Sequence, residues 1–263
     1  MINDANAFKS WLLKNYDYSE NTLQSYLFTF KDFFKTNNEI NSENARRYIQ
    51  LLEKENRKSK TICLRITALK KIAKYKESEI VIKRPKIPNT LNVDNIPDEN
   101  DYNILTEYLD KQNQKFAFIV KIMATTGCRV SELLKITYED IVRGFCEIKG
   151  KGDKYRRFFF ADSLKPYAFG KSGTICLNRF GKTMTTRGLA SVIKDAAVKA
   201  GIKKEKIHPH AFRHFFAKMF LSKTNDIITL ADLLGHGKIE TTRIYLRKSY
   251  DEQKREFDNA VTW

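Results

Sequence analysis

The sequence predicts a mainly α-helical protein with one small antiparallel β-hairpin sheet, divided into an N-terminal four-helix domain and a larger C-terminal domain. Three observations carry this. Apolar residues recur at helical spacing over most of the chain. A stretch holding Pro85, Pro88 and Pro97 breaks that spacing once, because each proline limits helix at its own position and the one before. Two short runs flanking Gly150-Lys151-Gly152-Asp153 carry a hairpin signal. A length of 263 residues also suits two cores better than one.

The elements follow in order. Phe8, Trp11 and Leu12 mark a first helix; Leu23, Tyr26, Leu27, Phe30 and Phe34 mark a second, with Ser19 as N-cap; Ala45, Tyr48, Ile49 and Leu52 mark a third. A fourth runs from Ser59 to Lys76, with Ile62, Ile66, Leu69 and Ala73 on one side. The expected boundaries are an N-terminal domain over 1–84, an extended linker over 85–97 and a C-terminal domain over 98–263. The latter opens with a helix from Asp98, as N-cap, to Asp110, and another from Gln114 to Thr126 ending at Gly127. Strands are expected over Phe145–Lys149 and Tyr155–Phe160. Helices then follow over Thr185–Ala200, His210–Lys223 and Asp226–Leu234, with a short one through Tyr245 and a tail helix to the end.

Charge narrows the function. The chain has 48 Lys and Arg against 31 Asp and Glu, a formal net charge of +17. Residues 1–84 carry 17 basic and 10 acidic side chains, and residues 85–263 carry 31 and 21, so both parts are positive. A polyanion, nucleic acid before an acidic membrane face, is the partner this balance implies. The fourth helix concentrates it: between Arg57 and Lys76 lie eight basic residues and no acidic one. Lys60, Lys70, Lys71 and Lys74 lie opposite its apolar side, and without interspersed carboxylates they repel one another. Phosphates relieve that repulsion, which makes these four lysines the expected DNA contacts.

Other classes are excluded. The start lacks the charged and apolar regions of a secretory signal, and Phe116–Val120, the densest apolar run, is far too short to span a membrane. Cys63, Cys128, Cys146 and Cys176 form no C-x-x-C, which argues against a disulfide framework and fits a reducing cytoplasm. His210 and His214, four apart, could ligate a metal from one helix face. No H-E-x-x-H supplies a third ligand, however, and Arg213 beside them disfavours a cation. An arginine beside a histidine suits a phosphate instead: the guanidinium grips two oxygens while the imidazole handles protons.

His210-Ala211-Phe212-Arg213-His214, then Leu233-Leu234-Gly235-His236, then Tyr245 nine residues on resembles the C-terminal signature of the tyrosine recombinases, the phage-integrase and Xer-like enzymes. Thr126-Gly127-Cys128-Arg129-Val130-Ser131-Glu132 resembles that family's first arginine box, and Gly150-Lys151-Gly152-Asp153-Lys154 its lysine-bearing hairpin. Four motifs in the right order cover the C-terminal part, and the basic four-helix part looks like the family's core-binding, SAM-like domain. Phe212 stands where the family usually has Leu, a change of packing only.

The resemblance implies the roles. Arg129 and Arg213 would hold the non-bridging oxygens of a scissile phosphate. Lys151 would donate a proton to the leaving 5′ oxygen, with Lys154 as its neighbouring alternative. His210 would assist proton transfer, His236 would bind the phosphate or steady the nucleophile, and Glu132 would orient its neighbours. Tyr245 would be the nucleophile; among twelve tyrosines only its spacing from His236 selects it over Tyr138 and Tyr250. The same resemblance implies a clamp around double-stranded DNA, a homotetramer on two sites, a Holliday junction and no cofactor, neither metal nor ATP. An accessory protein is compatible with it. No arm-binding domain is expected ahead of the four helices, and the tail from Ser249 to Trp263 is expected to dock on a neighbouring protomer. A topoisomerase-like relaxing enzyme would use the same residues and differs in lacking exchange between two sites.

Overall fold

The computed structural model describes residues 2–85, 96–149, 155–235, 242, 245, 254, 257–259 and 261–262. The chain divides into two compact units, Met1–Thr90 and Leu91–Trp263. Residues 86–95 of the expected linker fall outside the described residues, as do Lys151, Lys154, His236 and Tyr250. The described residues are mostly helical, with one two-stranded antiparallel sheet.

The first unit is built from α1 (Ile2–Asn15), α2 (Glu20–Phe33), α3 (Ser42–Lys54) and α4 (Ser59–Tyr75). Each turns a stripe inward, and Phe8, Leu12, Leu23, Phe30, Phe33, Ile66, Leu69 and Ile72 are essentially inaccessible to water. Burying each contributes about 1.5–3 kcal/mol before entropy is counted. Polar bonds across the helices fix their registry: Arg65 donates to Thr29 Oγ1 at 2.8 Å, and Tyr48 donates to Asp32 at 2.8 Å. Caps set the starts. Asn41 accepts from the Asn44 N–H, whereas Ser19, the N-cap of α2, accepts no helix N–H at its side chain and shares a hydroxyl contact with Thr22 instead.

The second unit begins with α5 (Glu99–Gln112), held by a capping box between Asp98 and Asp101, and α6 (Gln114–Thr126), capped by Asn113. Two short helices follow, α7 (Val130–Leu133) and α8 (Tyr138–Arg143), then β1 (Phe145–Lys149) and β2 (Tyr155–Phe159). These pair in a register that sets Phe145 opposite Phe159 and Ile148 opposite Arg156. A 3₁₀ turn over Asp162–Leu164 leads into α9 (Lys165–Ala168). The long helices α10 (Thr186–Lys199) and α11 (Pro209–Thr224) and the shorter α12 (Ile227–Leu234) complete the unit.

The short helices were not anticipated: four to six residues are too few for a 3.6-residue period to show. Strand β2 stops at Phe159, although the Phe160 N–H still bonds to Gly144 O at 2.9 Å. Helix α11 begins at Pro209 rather than His210, because a proline at the first helical position sacrifices no hydrogen bond and His208 caps it. Its two ends serve two cores. Phe212 and Phe215 face the main one, with α6 and the sheet; Ala217 and Leu221 join Leu230 and Leu234 in a smaller one.

Candidate active site

The site grows from the end of α6. Gly127 ends that helix with φ +59°, the left-handed conformation that a residue without Cβ adopts at little cost. A Cβ there would lie 2.5 Å from Cδ1 of Phe216 and 3.0 Å from Cδ2 of Leu234. The bare glycine thus lets the end of α6 lie against α11 and α12. Its carbonyl accepts a hydrogen bond from Arg213 Nη1 at 2.9 Å, and Arg213 Nη2 donates to Leu234 O at 2.5 Å. Arg213, 4% exposed, therefore sits where three helices meet.

Two residues past the glycine, Arg129 is the N-cap of α7 in extended conformation. Glu132, in the first turn, reaches back: its Oε2 accepts the Arg129 backbone N–H at 2.6 Å and its Oε1 accepts Arg129 Nη1 at 2.9 Å. Oε2 also accepts Arg156 Nη1 at 2.7 Å. Arg156 comes from β2, and its Nε and Nη2 donate to Leu233 O at 2.9 and 2.5 Å. Consecutive carbonyls at the C-terminal end of α12 are thereby held by different arginines, a charge arrangement matched to the negative pole of a helix.

Two guanidinium groups, those of Arg129 and Arg156, hold the Glu132 carboxylate, and a third, that of Arg213, is coupled to them electrostatically. Burial pushes the Arg213 guanidinium down to about 10, and the charges of Arg156 and Arg129 add to the effect. Burial also lowers Arg156, against the pull of Glu132. For Glu132, burial raises the carboxyl, but the charges of Arg156 and Arg129 and the Arg129 backbone bond outweigh it, so it stays below the ordinary carboxylate range. A cluster with this excess of positive charge is suited to an anion.

Helix α11 presents the histidines. His208 Nδ1 accepts the Ala211 N–H at 3.1 Å, a bond that requires this nitrogen to be unprotonated. His210 lies exposed on the first turn; partial desolvation, then the charges of Arg213 and Arg129, lower its proton affinity. One turn on, His214 Nδ1 lies 2.8 Å from the Tyr245 hydroxyl, with ring centroids 5.4 Å apart. Burial, then His210, His208 and Arg213, push His214 down to about 4. Tyr245 is half-buried against the smaller core, and burial raises its phenol while Arg213 pulls the other way.

The structure thus brings together Arg129, Glu132, His210, Arg213 and Tyr245, while Lys151 and His236 lie outside the described residues. Among the described residues no group of three or more His, Cys, Asp or Glu side chains is gathered as metal ligands. No helix of the described residues is long and apolar enough to cross a membrane. In the first unit Lys60, Lys70 and Lys74 are exposed along α4. Lys71, on the same face, is half-buried, its ammonium 3.7 Å from the centre of the Tyr16 ring.

One site residue escaped the sequence reading. Arg156 had a detectable signal: the alternation that turns Cys146, Ile148 and Phe158 inward also turns Arg156 inward, and a buried arginine requires an acidic or carbonyl partner. His214 was weighed only as a metal ligand paired with His210, whereas in the structure its partner is the Tyr245 hydroxyl.

Residues 97–252 match the model of the phage integrase family. The chain is 29% identical over 205 residues to tyrosine recombinase XerD of Staphylococcus aureus, covering 70% of this chain and 67% of the relative. It is 29% identical over 262 residues to tyrosine recombinase XerA of Pyrococcus furiosus, covering 92% and 88%. Its fold is similar to that of the Tn1549 transposon integrase in complex with circular intermediate DNA, with TM-score 0.70 and 17% identity over 96% of this chain and 98% of that one. With the family model spanning well over half of its length, the chain belongs to the phage integrase family, the tyrosine recombinases, whose general activity is site-specific DNA recombination.

Proposed function

We propose that this protein cleaves and rejoins DNA through a covalent 3′-phosphotyrosyl intermediate on Tyr245 and exchanges strands between two sites by way of a Holliday junction. Its outcome would be DNA inversion, dimer resolution, or the integration or excision of a mobile element. The observation that supports the reading is that α11 carries His210 and Arg213, that Arg213 bonds the Gly127 carbonyl two residues before Arg129, and that the next residue, His214, lies 2.8 Å from the Tyr245 hydroxyl.

In this reading Arg129 and Arg213 hold the two non-bridging oxygens of one phosphate, and their charge stabilises the extra negative charge of a pentacoordinate transition state. The Tyr245 oxygen attacks phosphorus as its proton leaves, and the bond to the 5′ oxygen breaks. A proton from Lys151 on the hairpin makes that oxygen a free hydroxyl. His210 serves proton transfer, His236 contacts the phosphate, and Glu132 keeps Arg129 oriented. A 5′-hydroxyl from a second duplex reverses the step. Phosphodiester energy is conserved in the protein–DNA bond, so the reaction proceeds without ATP or metal. Domains over 1–84 and 98–263, joined by a linker over 85–97, close on double-stranded DNA, with Lys60, Lys70, Lys71 and Lys74 on phosphates and four protomers on two sites. The positive charge of both parts and the DNA-bound structural relative support this partner.

A pool of nicked duplexes with randomised sequence tests the reading, since a nick lets the cleaved fragment diffuse away and traps the covalent product. Wild-type protein in EDTA without ATP is expected to form a protein–DNA adduct that Tyr245→Phe does not form. An adduct that survives in Tyr245→Phe would overturn the assignment. Sequencing the captured strands identifies the site, and a plasmid carrying two copies separates recombination from simple relaxation.

A further inference from the structure

We infer that His214 is the positioning residue for the nucleophile, holding the Tyr245 hydroxyl at the turn of α11 that carries His210 and Arg213. This rests on the reading of Tyr245 as nucleophile.

Three observations meet. The His214 Nδ1 to Tyr245 Oη distance of 2.8 Å is that of a full hydrogen bond. The phenol ring leans on Ala217, Leu221, Leu230 and Leu234 with Phe216 and Phe220 beside them, so apolar packing fixes the ring while the imidazole fixes the oxygen. His214 is next in sequence to Arg213, whose charge acts on the Tyr245 phenol. A phenol bound only by its ring edge swings about its Cα–Cβ and Cβ–Cγ bonds. An oxygen held at a second point cannot, and orientation of the attacking atom is a large part of any displacement barrier.

The imidazole is well suited to this. It is half-buried, and burial, then His210, His208 and Arg213, push it down to about 4, which favours the neutral ring at physiological pH. A neutral ring bonds the hydroxyl in either tautomer without adding charge. A charged lysine or arginine at 214 would add charge, repel the neighbouring Arg213 and compete with the arginines for the phosphate.

The test compares full-length wild type, His214→Phe and His214→Asn on one nicked duplex recovered from the randomised pool. Phe keeps the ring and loses the polar atom; Asn sets an amide atom near the position of Nδ1. At saturating protein, His214→Phe is expected to slow adduct formation by about 10- to 100-fold. The protein concentration giving half-maximal binding should stay within about threefold, since the change lies at the oxygen rather than in DNA contacts. His214→Asn is expected to recover most of the rate. A purely structural role would predict rates that follow thermal stability rather than the polar atom. Wild-type or faster cleavage by His214→Phe, or slow cleavage by both variants at wild-type melting temperature, overturns the inference. If His214→Phe unfolds, the Asn variant still decides by its rate. An adduct formed by Tyr245→Phe would instead sink the underlying assignment and is read separately.

Discussion

Arg156 and Glu132 form an ion pair at 2.7 Å from which water is almost excluded, their side chains 8% and 11% exposed. The same carboxylate holds Arg129, and the same guanidinium holds the Leu233 carbonyl. A strand of the hairpin, the turn after α6 and the end of α12 are thus tied by one pair of side chains.

Removing one partner strands the other in a place where charge is costly. Arg156→Met is expected to lower stability by about 3 kcal/mol, because Glu132 keeps only Arg129 and the Leu233 carbonyl loses its donor. The double variant Arg156→Met/Glu132→Gln should lose distinctly less than the sum of the two singles. Urea unfolding midpoints check this, and strict additivity would argue against the pair acting as a unit.

Arg129 and Arg213 should fail differently. Arg129 is 41% exposed at its side chain, whereas Arg213 is 4% exposed and donates to two main-chain carbonyls. Arg129→Gln is expected to cost several kcal/mol of transition-state stabilisation with stability nearly unchanged. Arg213→Gln is expected to lose cleavage and about 2–4 kcal/mol of folding stability as well, since hydrogen bonds to a charged donor are the stronger kind. Adduct rates on a nicked duplex, read beside denaturation curves, separate the two.

Gly127→Ala places a methyl 2.5 Å from Phe216 in a left-handed backbone conformation. The strain of that conformation is about 1–2 kcal/mol and overpacking adds about 1–3. A fall of several degrees or more in melting temperature is expected, with reduced cleavage because the Gly127 carbonyl that holds Arg213 shifts.

Acid should destabilise the protein through its histidines. His214 is pushed down to about 4 by burial, then by His210, His208 and Arg213, and burial lowers His208 and His210 too. In the unfolded chain histidine titrates near ~6.5. Between about pH 6.5 and 4 the unfolded state therefore binds more protons, so this stability is fully present above that window and is lost as pH falls through it. The urea midpoint is expected to drop from pH 7 to pH 5, and to drop less in His214→Phe.

Neutralising lysines on α4 should distinguish the exposed from the engaged. Each of Lys60, Lys70 and Lys74 replaced by Gln is expected to lower the slope of log affinity against log salt by about 1 for duplex DNA. Lys71→Gln should change it less, because its ammonium lies on the Tyr16 ring.

The long helices and the hairpin could be read from the chain because many residues repeat one period, and Gly127 and Asp98 punctuate them where the physics of caps requires. Glu132, Arg129 and Arg213 came from local motifs. What stayed hidden was contact between distant segments. Arg156 meets Leu233 across 77 positions and Tyr245 meets His214 across 31, and no local pattern encodes which partner an inward side chain will find. Lys71 shows the converse: helical geometry placed it on the outer side, yet an aromatic ring from the loop after α1 covers it.

At the end of α12, Arg156 and Arg213 grip the helix by its peptide oxygens, not by its side chains. Whatever amino acid stands at 233 offers the same oxygen to Arg156, so substitutions there should be tolerated as long as the helix keeps its last turn. Position 156 has no such latitude, since only a forked cation reaches both that oxygen and a carboxylate. Within this stretch, constraint across natural variants should fall on the gripping residue and spare the gripped one.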